Sequence, residues 1–305
     1  MHGQGREAYK TRQREQAAKL QAKADQWYKL RATLKAQCSL ELNDKLLQVN
    51  PDPLHLWNQR REHGELDLEK ELQVTAQALQ NNPKAYGAWF HRKWCMTTLL
   101  TPDASSQVLP QELALTEKFL QRDERNFHCW NYRRFVVGLM LGGRANGAWS
   151  QGPPMGAQHA HGSTTLPVPN DPDAVLQAEW DFTTRKIHDN FSNFSAFHYR
   201  SKLLRAETNE LDIVENAIFT EPDDQTAWWY HRFLLENTKD SFDWSSHLES
   251  LRELAEEVPD CKWVWLGILG VEQRLDKPVD HSIIEKLIAV DPDRKARYEY
   301  LLANK

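Results

Sequence analysis

Six times along this chain a short segment places an aromatic residue at a fixed distance after a turn. In four of them an arginine follows three residues later. The segments run Asn50 to Arg61 around Trp57, Asn82 to Lys93 around Trp89, and Asp123 to Arg134 around Trp130. They continue with Asn190 to Arg200 around Phe197 and Glu221 to Arg232 around Trp228, and a degenerate copy ends on Trp265. The aromatic centres step by 32, 41, 67, 31 and 37 residues. A base period in the thirties is that of a helical-hairpin solenoid, in which each unit buries its apolar face only against its neighbours.

The flanking sequence agrees. Apolar residues recur at helical spacing over Leu68–Leu79, Leu113–Leu120, Val175–Ile187, Leu211–Phe219, Leu248–Val258 and Ile283–Val290. Strand signals are nearly absent, so the expected fold is all-α, a right-handed superhelical solenoid of helical hairpins. In each unit an amphipathic helix leads through a turn to the tryptophan helix. Asn50 or Asn82 is expected to cap the tryptophan helix, with the following proline at its first position. The tryptophan then falls about two turns in. The long step of 67 needs an insertion. Residues 142–172 supply it, with six glycines and five prolines, and read as a flexible loop. Residues 1–36 form a separate segment, charged and alanine-rich, with one or two largely solvated helices. The solenoid occupies 37–305.

Composition narrows the function. A net charge of −5 does not favour non-specific binding to nucleic acid. No apolar run reaches membrane-spanning length, and the first residues lack a signal core. The four cysteines Cys38, Cys95, Cys129 and Cys261 are widely spaced, which fits reduced thiols in the cytoplasm. His91 with Cys95, and His128 with Cys129, are too few for a metal site, so the chain by itself is expected to bind none. No glycine-rich phosphate loop or nucleophile elbow occurs.

The recurring Arg60, Arg92, Arg133 and Arg200 read as structural, because a residue repeated in every unit serves the repeat. Residues that differ between units are better site candidates. Lys84 and Arg125 stand at the same place in adjacent units, and the other units are not basic there. Together they make a cationic edge able to take a phosphate or diphosphate. Ordinary surface charge is the competing reading.

These segments resemble the α subunits of the protein prenyltransferases. Asn82-Pro-Lys-Ala-Tyr-Gly-Ala-Trp89, Asp123-Glu-Arg-Asn-Phe-His-Cys-Trp130 and Asp224-Gln-Thr-Ala-Trp228 carry the likeness, together with the Met1-His2-Gly3 start. Within the family the chain is most similar to the branch serving type II, or Rab, geranylgeranyltransferase. The resemblance implies a heterodimer with a prenyltransferase β subunit that holds the catalytic zinc. The reaction it implies is transfer of geranylgeranyl from geranylgeranyl diphosphate to C-terminal cysteines of Rab GTPases presented by an escort protein. It assigns Lys84 and Arg125 to the diphosphate, and Tyr86, Phe127 and His128 to the substrate rim. It also places His2 near the partner's zinc when substrate is absent; a frayed terminus is the plainer reading of His2. Phe127 lacks the hydroxyl of the tyrosine usual there. A chain ending at Lys305 is expected to be a form without the immunoglobulin-like and leucine-rich modules of some relatives.

Two alternatives stay open. One is the α subunit shared by farnesyltransferase and the type I enzyme, which act on CaaX proteins. The Arg125-Asn126-Phe127 triplet counts against it, since that subunit carries Lys-Asn-Tyr there. The other is a tetratricopeptide-like adaptor, which would show a tryptophan–leucine–glycine signature that this sequence lacks.

Overall fold

The computed structural model describes residues 3–37, 39–99, 102–141, 171–203, 210–238 and 242–303. Every regular element among them is helical, as the repeat requires. The chain divides into two compact units, Met1–Pro169 and Asn170–Lys305. His2 and residues 142–170 of the glycine- and proline-rich insertion lie outside the described residues.

The first unit begins with α1 (Gly3–Gln37), a single long helix. Leu20 and Tyr28 on it are exposed, and Leu34 is buried. Three hairpins follow: α2 (Leu40–Val49) with α3 (Leu54–Glu62), α4 (Leu68–Asn81) with α5 (Tyr86–Leu99), and α6 (Pro102–Arg122) with α7 (Phe127–Met140). The second unit pairs α8 (Pro172–Asp189) with α9 (Phe194–Arg200), α10 (Leu211–Thr220) with α11 (Gln225–Asn237), and α12 (Trp244–Glu257) with α13 (Lys262–Arg274). It ends with α14 (His281–Val290) and α15 (Lys295–Ala303). Asp171 caps α8 and Pro172 opens it, so the last two residues of the expected insertion belong to this helix.

The turn differs from the sequence expectation in one respect. Asn50 and Asn82 do not open the tryptophan helices; each closes the helix before, its backbone N–H donating to Leu46 or Ala78. Their side-chain oxygens accept from the N–H two residues on, at Asp52 and Lys84, an Asx turn. Asp123 and Asn190 do the same for Arg125 and Ser192. The tryptophan helix therefore starts after the turn, at Leu54 or Tyr86, and its tryptophan sits one turn in rather than two.

That placement explains the fixed distance from turn to tryptophan. Each indole N–H donates back to the carbonyl six residues earlier: Trp57 to Pro51, Trp89 to Pro83 and Trp130 to Glu124, at 2.8 Å each. Trp228 and Trp265 reach Pro222 and Pro259 at 2.7 Å. The bond satisfies a turn carbonyl that the helix leaves unpaired. Phe197 has no donor, so the fourth unit keeps the packing and forgoes the bond.

The repeated arginines are buried and bonded. Arg92 binds Glu112 through two guanidinium nitrogens at 2.7 and 2.6 Å. It also donates to the Leu72 carbonyl and the Thr75 hydroxyl. Tyr132 donates to the same Glu112 at 2.7 Å. Arg60, Glu71 and His91 repeat this arrangement one hairpin earlier. Arg200, Glu210 and Tyr230 repeat it in the second unit. Each carboxylate thus ties the arginine of one hairpin to the tyrosine or histidine of the next. Burial acts to raise the Glu71 carboxyl, but the bonds from His91 and Arg60 outweigh it and bring it down to about 2.

The sixth unit departs for a packing reason. Gly267 falls where the second to fifth units carry His91, Tyr132, Tyr199 and Tyr230, and a Cβ there would run into the six-membered ring of Trp228. Only glycine lets α13 approach the indole of α11 so closely.

Candidate functional site

Lys84 and Arg125 occupy equivalent places, each in the turn that leads into a tryptophan helix. Both turns are pinned by the Asx bonds described above. A further bond joins them: Asn126 caps α7 by accepting from His128 and Cys129, and its amide donates to the Pro83 carbonyl at 2.9 Å. Asn126 is buried, so the link is stable against solvent. It fixes the turn carrying Lys84 against the first turn of α7, which carries Phe127 and His128.

The side chains above that link are exposed. Lys84 lies 3.2 Å from Asp123 across the two turns, with the lysine side chain 67% exposed. A pair so open contributes little to stability. Arg125 is likewise exposed, with Glu124 at 3.9 Å. Tyr86 and Phe127 are 51% and 63% exposed, although both are aromatic. The His128 ring lies 4.0 Å from Phe127 and 6.1 Å from Tyr86, centroid to centroid. Burial first, then the charges of Lys93 and Lys84, push the His128 imidazole below its usual range. It is therefore neutral near pH 7, a donor and acceptor beside a cationic edge.

Lys84, Tyr86, Phe127 and His128 thus come together on the first unit, and Arg125 stands in the adjoining turn. The described residues include no group of three or more His, Cys, Asp or Glu placed to hold a metal. Cys95 and Cys129 are buried and free, and burial pushes both thiols up to about 12. Neither offers a nucleophile or a metal ligand near pH 7.

Sequence reasoning passed over the carboxylates Glu71, Glu112, Glu179 and Glu210. Each lies 20 residues before the ring that binds it: His91, Tyr132, Tyr199 and Tyr230. That constant interval was a legible signal.

A model of the protein prenyltransferase alpha subunit repeat matches residues 68–99, 109–140, 176–207 and 208–238. Those four stretches follow the hairpins α4–α5, α6–α7, α8–α9 and α10–α11. The chain belongs to the protein prenyltransferase alpha subunit family. Among its relatives is the geranylgeranyl transferase type-2 subunit alpha of Rattus norvegicus, 37% identical over 254 residues. That alignment takes in 73% of this chain and 38% of the rat protein, so this family member spans well under half the length of its mammalian relatives. The protein of the same name from Saccharomyces cerevisiae is 28% identical, across 87% of this chain and 84% of its own length. A solved structure, Candida albicans protein geranylgeranyltransferase-I complexed with GGPP, matches with a TM-score of 0.56 at 18% identity. It covers 82% of this chain and 88% of that one, and at such identity it supports the fold alone.

Proposed function

We propose that this chain is the α subunit of a type II protein geranylgeranyltransferase, active only as a heterodimer with a prenyltransferase β subunit. The enzyme transfers geranylgeranyl from geranylgeranyl diphosphate to C-terminal cysteines of Rab GTPases, in XXCC, XCXC or CCXX termini, presented by an escort protein in the cytoplasm. Its zinc is held by the β subunit and supplies the substrate cysteine as a thiolate. No helix among the described residues is long and apolar enough to cross a membrane.

The observation that carries this reading is the alignment to relatives of one name, 37% identical in the rat protein and 28% identical in the yeast protein. The yeast protein called geranylgeranyl transferase type-2 subunit alpha aligns along nearly its whole length. In this role Lys84 and Arg125 take the diphosphate, where charge grows as the carbon–oxygen bond breaks. Neutral His128 donates a hydrogen bond at the same edge, and Tyr86 and Phe127 line the path beside it.

The reading is tested by co-expression with a type II β subunit. Geranylgeranyl transfer to a Rab protein ending in two cysteines, with escort protein present, is expected to need both chains. A complex active on CaaX peptides alone would move this chain to the sister enzymes, and failure to form a complex would refute the subunit role. Lys84→Ala is expected to slow transfer by roughly 10- to 100-fold, the loss of one charge-assisted contact, with assembly intact. Loss of assembly instead would make Lys84 structural.

A further inference from the structure

α1 is far longer than the helix it packs on. It has 35 residues and α2 has ten, with only two residues between them. Neighbouring helices joined so shortly run antiparallel. α1 therefore overshoots the far end of α2 by roughly 25 residues. Its residues 10–23 are all exposed, whereas Leu30 is half-buried and Leu34 buried. The end it overshoots is the one that carries the turns. The Asn82 amide donates to Asp52 at 3.2 Å, and the Asn126 amide to the Pro83 carbonyl at 2.9 Å. The turns before α3, α5 and α7 are thus one edge, which bears Lys84 and Arg125. The free part of α1 stands beyond it.

That free part is basic. α1 holds nine lysines and arginines against three acids, although the chain as a whole is −5. The first ion pair along the described residues is Lys45 with Glu41. Lys10, Arg12, Arg14, Lys19 and Lys23 come before it, and none has a carboxylate partner there. Lys10 with Arg14, and Lys19 with Lys23, are like charges at i,i+4, a destabilising arrangement in an isolated helix. Arg12, Lys19 and Lys23 precede Leu30 by 18, 11 and 7 residues. At about 3.6 residues per turn they continue the face on which Leu30 and Leu34 meet the body. Lys10 and Arg14 lie on the opposite side. Leu20 is the one large apolar residue between Lys10 and Lys23, so recognition here is by charge.

We propose that the face of α1 bearing Arg12, Lys19 and Lys23 is a docking arm for an acidic surface of the β subunit. The inference deepens the proposed function and rests on it. A β subunit that brings zinc to the edge of Lys84 and Arg125 must close on that edge, and the arm stands beside it. Charge placed there speeds encounter and fixes register. An anionic membrane fits less well. Leu20 alone offers no insertion, and the acid excess of the remaining chain opposes approach to anionic lipid.

The test is competition between tagged wild-type chain and an untagged variant for a limiting amount of co-expressed type II β subunit. Lys19→Glu/Lys23→Glu reverses two charges on the arm's face. Lys10→Glu/Arg14→Glu reverses two on the opposite side at the same spacing, so net charge and helix propensity change alike. At about 0.05 M salt the first variant is expected to compete roughly tenfold less well than wild type, and the second less than about threefold worse. At about 0.5 M salt both should come within about threefold, because screening shortens to a few ångströms. Equal loss in both variants, or loss in neither, would overturn the docking and leave the subunit role intact. No complex with wild type would sink both. Equal competition, with only Lys19→Glu/Lys23→Glu failing to sediment with vesicles of anionic lipid, would give the face to a membrane and overturn the docking too.

Discussion

Glu112 is the residue whose loss should cost the first unit most. Its Oε1 accepts from Arg92 Nη2 at 2.6 Å, and its Oε2 accepts from Arg92 Nε and the Tyr132 hydroxyl at 2.7 Å each. All three residues are buried. Glu112→Gln keeps the shape, but the guanidinium occupies both oxygens, so one N–H must then face the glutamine NH2. The arginine charge also loses its counter-ion. Removing one partner of a buried pair costs about 3–5 kcal/mol. The Leu72 carbonyl and Thr75 hydroxyl still hold one arginine nitrogen, which places the expected loss at the lower end, about 3 kcal/mol. Tyr132→Phe removes a single bond and should cost about 1.5 kcal/mol. Repeat arrays can open locally, so amide hydrogen exchange is the better assay than a single melting curve. Protection should fall in α4 to α7 and hold in α12 to α14. A loss under about 1 kcal/mol for Glu112→Gln, or one spread evenly over the chain, would refute the view that this carboxylate ties the hairpins together.

Two further predictions concern the second unit. His231 Nε2 meets His247 Nε2 at 2.9 Å, and His247 Nδ1 meets Glu215 at 2.6 Å. Burial, then His247, bring the His231 imidazole down to about 3, so the folded state holds it neutral. The unfolded chain takes up that proton below about 6.5, so stability is full above that pH and is lost as pH falls toward 3. Urea midpoints from pH 7.5 to 4 should show this fall, and His231→Gln should flatten it; an unchanged slope would refute the assignment. Gly267→Ala should destabilise by about 1–3 kcal/mol, because the new methyl meets the Trp228 ring. Adding Trp228→Leu should relieve most of that strain, and strict additivity in a double-mutant cycle would show that the two do not touch.

Much of this was written in the sequence. The aromatic period fixed a helical-hairpin array, because a unit of some thirty residues buries its face only by stacking. The helix spans followed from apolar spacing, and the repeated arginines read rightly as structural. Lys84 and Arg125 were picked out because they differ between units, and His128 through the family resemblance; all three stand at the turns that lead into α5 and α7.

What the sequence left undecided depended on backbone path and on neighbours distant along the chain. An asparagine before a proline can bond an N–H two residues ahead either as a helix cap or in an Asx turn. The residues are the same, and only the trajectory of the chain at Asn50 and Asn82 decided for the turn. Glu71 and Glu112 look solvated in a local window, since a lone glutamate on a polar helix usually is. They are buried because arginines and rings from two other helices converge on them. Local periodicity set which elements form; tertiary packing set which charges meet, because burial and pairing are properties of neighbours in space.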